Sequence, residues 1–261
     1  MRGFGYHQRL TPEEHREVRQ ILESAVAREP GNASCWAMLS IVYGHEYGHG
    51  FNTRPDAVGR ALTAARRAVD LAPANHLAHQ ALSTALLFRR EIAACLHEAS
   101  RAIELNPLDG GSNAAMGANI AFAGDWDRGC ALIKRSMDLN PQHPVWYRGM
   151  LSFGEYWKGN YRAAVDEAVK TNAPDLFWLQ IVVAAANGQL GQKEAAATAV
   201  RALNAQVPNF SANVRDILGT WFLPDIVDQL IEGLQKAGMQ IGDGVTARCD
   251  EERPSEGSPR A

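Results

Sequence analysis

The stretch PLDGGSNAAMGANIAFAGDWDRGCALIKRSMDLNP, residues 107–141, decides the fold of this chain. It begins and ends on a proline, and each of these prolines follows an alanine-rich segment with helix-forming composition. Prolines recur at nearly the same step along the chain, at positions 73, 107, 141, 174 and 208. Pro30 precedes Pro73 by one further step plus a nine-residue insertion. A period of about 34 residues is typical of units built from two antiparallel helices that stack into a solenoid.

Small and large apolar residues alternate inside the unit. Counted back from Pro141, small residues occupy positions at which two helices approach closely, and large ones occupy positions that interlock between turns. The small residues are Gly117, Gly129 and Ser136, and the large ones are Met116, Ile120 and Ile133. Gly124-Asp125-Trp126 and Gly159-Asn160-Tyr161 mark the turns between helices, with the glycine ending the first helix and the Asp or Asn capping the second.

These features together resemble the tetratricopeptide repeat family over residues 11–208. The resemblance implies an all-α fold, a right-handed α-solenoid of about five complete helix-turn-helix repeats. A truncated repeat would precede them and a divergent capping pair would follow. The expected helices are 12–28, 33–46, 56–71, 76–88, 92–105, 110–122, 126–138, 145–157, 161–171, 175–188, 193–206, 211–221 and 225–236. The domain boundaries follow as a lead-in at 1–10, a solenoid at 11–239 and a disordered polar tail at 240–261.

The first unit is expected to begin in mid-repeat. Thr11-Pro12-Glu13-Glu14 is a capping box with proline at the first helical position, and the helix that it starts ends at Pro30. That helix is the second of its pair, and only ten residues precede it. We therefore expect either the C-terminal part of a longer protein or a shortened copy. A short first helix formed by Phe4, Tyr6 and Leu10 is the alternative.

Composition excludes several classes of function. The net charge is −3, from 26 basic and 29 acidic residues, so nothing indicates binding to nucleic acid or to an anionic membrane. The longest near-apolar run, residues 177–186, is too short to span a bilayer. MRGFGYHQRL at the start lacks the apolar region of a signal peptide. Cys35, Cys95, Cys130 and Cys249 form no CxxC pair, which favours reduced thiols and a cytoplasmic location.

His45-Glu46-Tyr47-Gly48-His49 matches HExxH, a zinc hydrolase motif in which two histidines on one helix face bind zinc and the glutamate activates water. Glycines at 44, 48 and 50 disfavour a helix there, and no third ligand stands at a recognised spacing. The motif also coincides with the nine-residue insertion. We therefore favour a lengthened first helix and loop with His45 and His49 partly exposed, and keep a zinc hydrolase as a remote alternative.

The repeat register predicts a concave groove lined by small residues and aromatic side chains. The aromatic residues expected to bind a partner are Phe88, Phe122, Trp146, Phe153, Tyr156 and Trp157. The groove positions carry almost no charge, which argues against recognition of an acidic peptide C-terminus and favours an apolar helix or extended segment. Two alternatives stay open. These aromatics could be core between repeats, or the groove could be filled internally by a neighbouring helix.

Six phrases extend the resemblance beyond the general repeat: LTPEEH (10–15), EYGHGFNTRPD (46–56), AGDWDRG (123–129), LNPQHPVWYR (139–148), GQLG (188–191) and IEGLQKAGM (231–239). Together they look like the C-terminal repeat region of bacterial signalling proteins. In those proteins the repeats follow an adenylate-cyclase-like or winged-helix domain, often with a TolB-like segment between. Neither of those upstream domains is present in this sequence, so the resemblance implies a regulatory or interaction role only.

The sequence thus predicts a non-catalytic interaction module of a bacterial regulatory or signalling system. Its expected partner is a protein or peptide segment, or an upstream signalling domain, held in the aromatic groove. No cofactor or metal is expected. The alternative is a sensor that binds a small molecule or lipid-like ligand in the same groove.

Overall fold

A computed structural model of the protein describes residues 11–173 and 176–242. Its regular secondary structure over these ranges is entirely helical and comprises thirteen helices. These are α1 Pro12–Arg28, α2 Ala33–Gly48, α3 Ala57–Leu71, α4 His76–Phe88, α5 Ile92–Leu105, α6 Gly110–Phe122, α7 Trp126–Leu139, α8 Trp146–Trp157, α9 Tyr161–Lys170, α10 Phe177–Gln189, α11 Lys193–Gln206, α12 Phe210–Trp221 and α13 Pro224–Lys236.

Five helix pairs stack along the chain, as the proline period predicts. Each pair is a first helix packed against the next one in sequence: α2 on α3, α4 on α5, α6 on α7, α8 on α9 and α10 on α11. The first helices also contact one another in succession, from α2 through α10. These five first helices form one face, which we call the concave groove. The predicted all-α solenoid with five complete repeats is confirmed.

The small residues of the repeat lie where the two helices of a pair touch. A Cβ built on Gly129 would lie 2.5 Å from the Gly117 carbonyl oxygen, so the two glycines permit a close approach of α6 and α7. Three other repeats place a serine at the position of Gly117. In each, the hydroxyl donates to a carbonyl oxygen of the second helix: Ser40 to Ala61 at 2.8 Å, Ser83 to Cys95 at 3.0 Å and Ser152 to Ala164 at 2.7 Å.

The turns between helices use a left-handed residue, as predicted. Gly124 has φ +105° and Gly159 has φ +78°, a region that glycine adopts without steric cost. The Asp125 side chain caps α7 by accepting from the Arg128 backbone N–H at 3.2 Å. The predicted cap at Asn160 is wrong, because its amide instead donates to the Glu155 carboxylate.

The described residues begin at Thr11, just before α1, and stop at residue 242. Thr11 caps α1 by accepting from the Glu14 backbone N–H at 3.2 Å, which confirms the start of that helix. The predictions on residues 1–10, on Pro174 and on the tail from 243 to 261 lie outside the described residues. Among the helices that are described, none combines the length and the apolarity needed to cross a membrane.

The closing pair, α12 and α13, is present but takes an unexpected place. It contacts the first helices of the repeats, from Gly48 on α2 to Gly188 on α10. Those helices line the concave groove, so the pair lies across the groove and covers it. We call residues 210–236 the C-terminal arm.

Candidate interaction surface: the concave groove and the C-terminal arm

Trp221, at the end of α12, is the residue of the arm that spans most of the groove. Its indole N–H donates to the Gly48 carbonyl oxygen at 2.8 Å, across 173 residues of sequence. A Cβ on Gly48 would overlap the indole ring, so only glycine allows this approach. Ring neighbours come from four repeats, with centroid distances of 5.3 Å to His49, 5.0 Å to Phe88, 5.4 Å to Phe122 and 6.5 Å to Trp178.

Phe222 follows directly and is buried in the middle of the groove. Its ring centroid lies 5.0 Å from that of Phe153 and 5.3 Å from that of Phe122. Such tilted and edge-to-face pairs are favourable beyond the area that they bury. The adjacent Trp221 and Phe222 side chains therefore form the aromatic anchor of the arm.

Helix α13 approaches α10 through small residues. A Cβ on Gly188 would lie 2.7 Å from the Ala237 backbone nitrogen, and a Cβ on Gly233 would lie 2.8 Å from the Ala185 carbonyl oxygen. The Tyr156 hydroxyl donates to the Gln229 carbonyl oxygen at 2.8 Å. Gly188 and Gly233 let the backbones of α10 and α13 meet, and the Tyr156 hydrogen bond joins α13 to α8 as well.

Arg90 holds the C-terminal end of α12. Its guanidinium donates to the carbonyl oxygens of Gly219, Trp221 at 3.5 Å and Phe222 at 3.2 Å. The last carbonyls of a helix have no partner within the helix and carry partial negative charge, so a cation is favourable there. No side-chain cap exists at the start of α12, and Asn209 before it is left-handed at φ +62°.

The structure covers the predicted groove aromatics instead of leaving them open. Phe88, Phe153 and Tyr156 are buried in this arrangement, which was one of the alternatives that the sequence left open. The reason is the arm, whose Trp221 and Phe222 contact the two phenylalanines and whose Gln229 accepts from the tyrosine. Phe122, Trp146 and Trp157 are partly exposed. The role of these six residues in binding a partner remains a prediction.

The enclosed space left in the groove is small. A cavity of about 30 Å³ lies beside Phe122, Trp126 and Trp157 and is closed by Leu223 and Ile226 of the arm. A wider cleft of about 460 Å³ lies away from these aromatics, between α9 and α11 and over Val183 and Asn187 of α10. The cavity beside Phe122 thus offers room for about one water molecule.

Glu46 of the HExxH-like segment is buried and fully engaged. Its carboxylate accepts from Arg19 at 2.9 Å, from Arg60 at 2.5 Å and from the Arg54 backbone N–H at 2.7 Å. Burial alone would raise the pKa of Glu46, but the hydrogen bonds from Arg60, Arg54 and Arg19 lower it below its usual value. Such a carboxylate stays charged and joins α1, α2, α3 and the insertion.

The two histidines of that segment lie beside each other on α2, with ring centroids 5.5 Å apart. His45 and His49 are both partly exposed, as expected, although α2 continues through both glycines to Gly48. His49 stacks on Phe51 at 5.2 Å, and burial lowers its pKa to about 4. Among the described residues, no group of three or more His, Cys, Asp or Glu side chains is placed to hold a metal ion.

Sequence reasoning missed the residues that hold the arm. Gly48 and Gly233 stand at helix positions where the repeat has no need of glycine. Trp221-Phe222 is an aromatic pair in the divergent unit. Arg90 stands at the turn position that Gly124 and Gly159 occupy in later repeats. These departures from the repeat pattern are the sequence features that could have identified the contacts of the arm.

The comparisons with known proteins support the fold. No protein-family model matches the sequence, and no curated protein matches it either. Solved structures do match. A tetratricopeptide repeat protein from Parabacteroides merdae superposes with a TM-score of 0.54 at 13% identity, covering 91% of this chain and 96% of that one. The fold is that of a tetratricopeptide repeat solenoid.

Two longer chains of known structure share the fold. A chain of the APC/C hetero-tetramer Cut9–Hcn1 gives a TM-score of 0.64 at 14% identity over 92% of this chain. Yeast Tom70 gives 0.51 at 11% identity over 87%. This chain spans 46% and 48% of the lengths of those two chains. Similarity at this level of identity establishes the fold alone.

Proposed function

We propose that this protein is a non-catalytic interaction module that holds a helical segment of a partner protein in its concave groove. The observation that carries the proposal is the arm itself: the groove already accommodates a two-helix segment through an aromatic anchor and a small-residue contact. A surface that fits one amphipathic helix has the shape and chemistry to fit another.

The chemistry of the groove sets the class of partner. Its contacts to Trp221 and Phe222 are aromatic and apolar, and aromatic residues commonly dominate the binding energy of protein interfaces. The partner is therefore an apolar-faced helix rather than an acidic peptide terminus.

The biological setting is proposed from the sequence resemblance. The six matching phrases favour a bacterial regulatory or signalling system in the cytoplasm, and an adenylate-cyclase-like or winged-helix domain of that system is a candidate partner. A small-molecule sensor finds little support, because a cavity of about 30 Å³ is far below the several hundred cubic ångströms of typical ligand pockets. A zinc hydrolase finds none in Glu46, whose carboxylate is held by arginines.

Photo-crosslinking in the source cell tests the proposal. A benzophenone amino acid replaces Trp157 at the groove in one variant, and Arg101 on the outer helix α5 in a matched control. We expect one protein, identified by mass spectrometry, to crosslink at position 157 and not at 101. Equal crosslinking at both positions would overturn the proposal. The absence of any crosslinked protein at position 157 in the source cell would overturn it as well.

A further inference from the structure

We infer that the C-terminal arm is an exchangeable occupant of the groove, which a partner helix with the same pattern of apolar side chains displaces. The inference rests on the proposed function, because it assumes that the groove binds a helix supplied by another protein. It adds the regulation of that site and the pattern of side chains that the partner must carry.

The arm can leave without unstacking the repeats. Helices α2 to α11 pack on their neighbours in sequence, and the stability of such an array is approximately the sum of its units and their neighbour contacts. The anchor contacts of the arm run instead to Gly48, Phe88 and Phe153, which belong to repeats that are complete without it. Its removal breaks these contacts and the contact of α13 with α10, and it leaves the contacts between the repeats in place.

Helix α12 shows what the partner must look like. Its buried side chains are Phe210, Val214 and Leu218, and Trp221 and Phe222 follow at its end. Apolar anchors at this four-, four- and three-residue spacing are typical of helices that bind in grooves. The opposite face is polar, with Asn213, Arg215 and Asp216 exposed. The partner is thus an amphipathic helix that ends in an adjacent aromatic pair.

Arg90 is a second, independent observation in favour of exchange. Its backbone has φ +60°, a region that is strained for a residue with a side chain, at a turn where later repeats have glycine. Strained residues persist when their surroundings compensate, and they concentrate at sites of binding and switching. Here the Arg90 side chain donates to the end of α12, so the strained turn lies at the contact that release of the arm would break.

The groove exposed by release would not remain empty. Loss of the arm uncovers Phe88, Phe122 and Phe153 together, and a contiguous apolar patch of this kind favours association with another apolar surface. The arm and the partner helix therefore compete. The apparent Kd for the partner equals the intrinsic Kd divided by the fraction of molecules in which the arm has left.

A competition experiment on the full chain tests the inference. The probe is a fluorescein-labelled synthetic peptide with the sequence of residues 209–239, and its control carries alanine at the positions of Trp221 and Phe222. Fluorescence anisotropy measures its Kd for wild type and for a release variant, Trp221→Ala/Phe222→Ala, which weakens the arm and leaves the groove intact. Gly233→Ala is a second release variant at a separate contact, and circular dichroism checks the helix content of each.

The expected result is at least about tenfold tighter peptide binding by both release variants than by wild type. Adding Phe88→Ala/Phe153→Ala to a folded release variant should abolish binding, because these side chains form the groove surface. The control peptide should not bind.

Three results overturn the inference, and they have different meanings. Equal affinity for wild type and release variants means that the arm does not compete, while the proposed function stands. Failure of the peptide to bind any folded variant removes the groove as a site for a helix, and the proposed function fails with it. Dimerisation of the release variants in sedimentation, with no peptide bound, means that a second copy of this chain is the occupant.

Discussion

The stacked repeats and the C-terminal arm are both built from short amphipathic helices, yet they are held in different ways. In the repeats, the contacts join helices of the same unit or of the next one, as Gly117 and Gly129 do within one unit. In the arm, Trp221 reaches Gly48 across 173 residues. A stack of local contacts fails gradually from unit to unit, whereas one docked segment is lost as a whole. The two regions should therefore respond differently to mutation.

The largest effect is expected inside the stack. In Gly129→Ala the new Cβ would lie 2.5 Å from the Gly117 carbonyl oxygen and 2.8 Å from the Ala121 backbone nitrogen, and backbone atoms yield little. We expect a loss of about 3 kcal/mol in the free energy of unfolding, measured by urea denaturation. Gly31→Ala is the matched control, because no atom lies within 4 Å of its added Cβ. Equal stability of the two variants would refute the close-packing argument.

Truncation of the anchor should act on the arm alone. Phe222→Ala removes a buried ring, at a cost of about 3 kcal/mol to docking of the arm. Trypsin should then cleave after Arg215 at least about tenfold faster than in wild type, because cleavage follows the population of the undocked arm. Sites in α5 to α7 should keep their wild-type rates, and faster cleavage there would argue against a separable arm.

Acid should weaken the contact between α2 and Trp221. The pKa of His49 is about 4 in the folded protein and near 6.5 when unfolded, so the unfolded chain binds more protons between these values. Stability is thus present above pH 6.5 and lost as pH falls toward 4. Between pH 7 and 4.5, wild type should lose about 2 kcal/mol more than His49→Gln in the free energy of unfolding. Parallel pH profiles of the two proteins would exclude His49 as the cause.

A methyl group at Gly48 should disturb the arm from the repeat side. In Gly48→Ala the added Cβ overlaps the indole of Trp221, and we expect a loss of about 1–2 kcal/mol in docking. The loss should be much smaller in a Trp221→Ala background, where only the Phe88 ring, 3.1 Å from the added Cβ, remains close to it. A double-mutant cycle on the rate of cleavage after Arg215 measures this coupling, and additive effects would contradict the contact.

The smallest effect is expected at Arg90. Arg90→Gln removes the charged donor to the end of α12 and keeps the strained turn, at a cost of about 1 kcal/mol to docking. Arg90→Gly also relieves the strain, so the repeats should unfold at the same or a higher urea concentration than wild type while the arm is cleaved faster. Arg89→Gln is the control, since the Arg89 side chain pairs with Glu91 at the surface. Equal rates of cleavage in the variants at positions 89 and 90 would contradict the claim that Arg90 holds the arm.

The sequence predicted the stack well because its determinants are local. Most helix boundaries fall within two residues of the expected ones, and Gly117, Gly129 and the Gly124 turn have the contacts and dihedral angles that the repeat requires. The cap predicted at Asn160 is the exception, because the sequence pattern does not determine which of several nearby groups a side chain will hydrogen-bond. Periodicity reports which residues face a neighbouring helix, and the repeat makes that neighbour predictable.

The position of the arm could not be predicted from the sequence, because its determinants are not local. Its helices were expected at nearly the right residues, but no periodic pattern says which distant surface they cover. Phe88 and Phe153 were predicted to line the groove, with their burial left open, and their contacts Trp221 and Phe222 lie at least 69 residues away in sequence. An internally filled groove was among the open alternatives, and the C-terminal arm fills it.

The central claim is that the arm opens independently of the repeats, and native-state hydrogen exchange measures this directly on the wild-type chain. Amides of residues 210–236 should exchange together with one opening free energy that lies below that of the buried amides in α5 to α8. They should also lose their protection at a lower urea concentration. A single free energy shared by the arm and the repeats would contradict the claim, because it would make the arm part of one cooperative core.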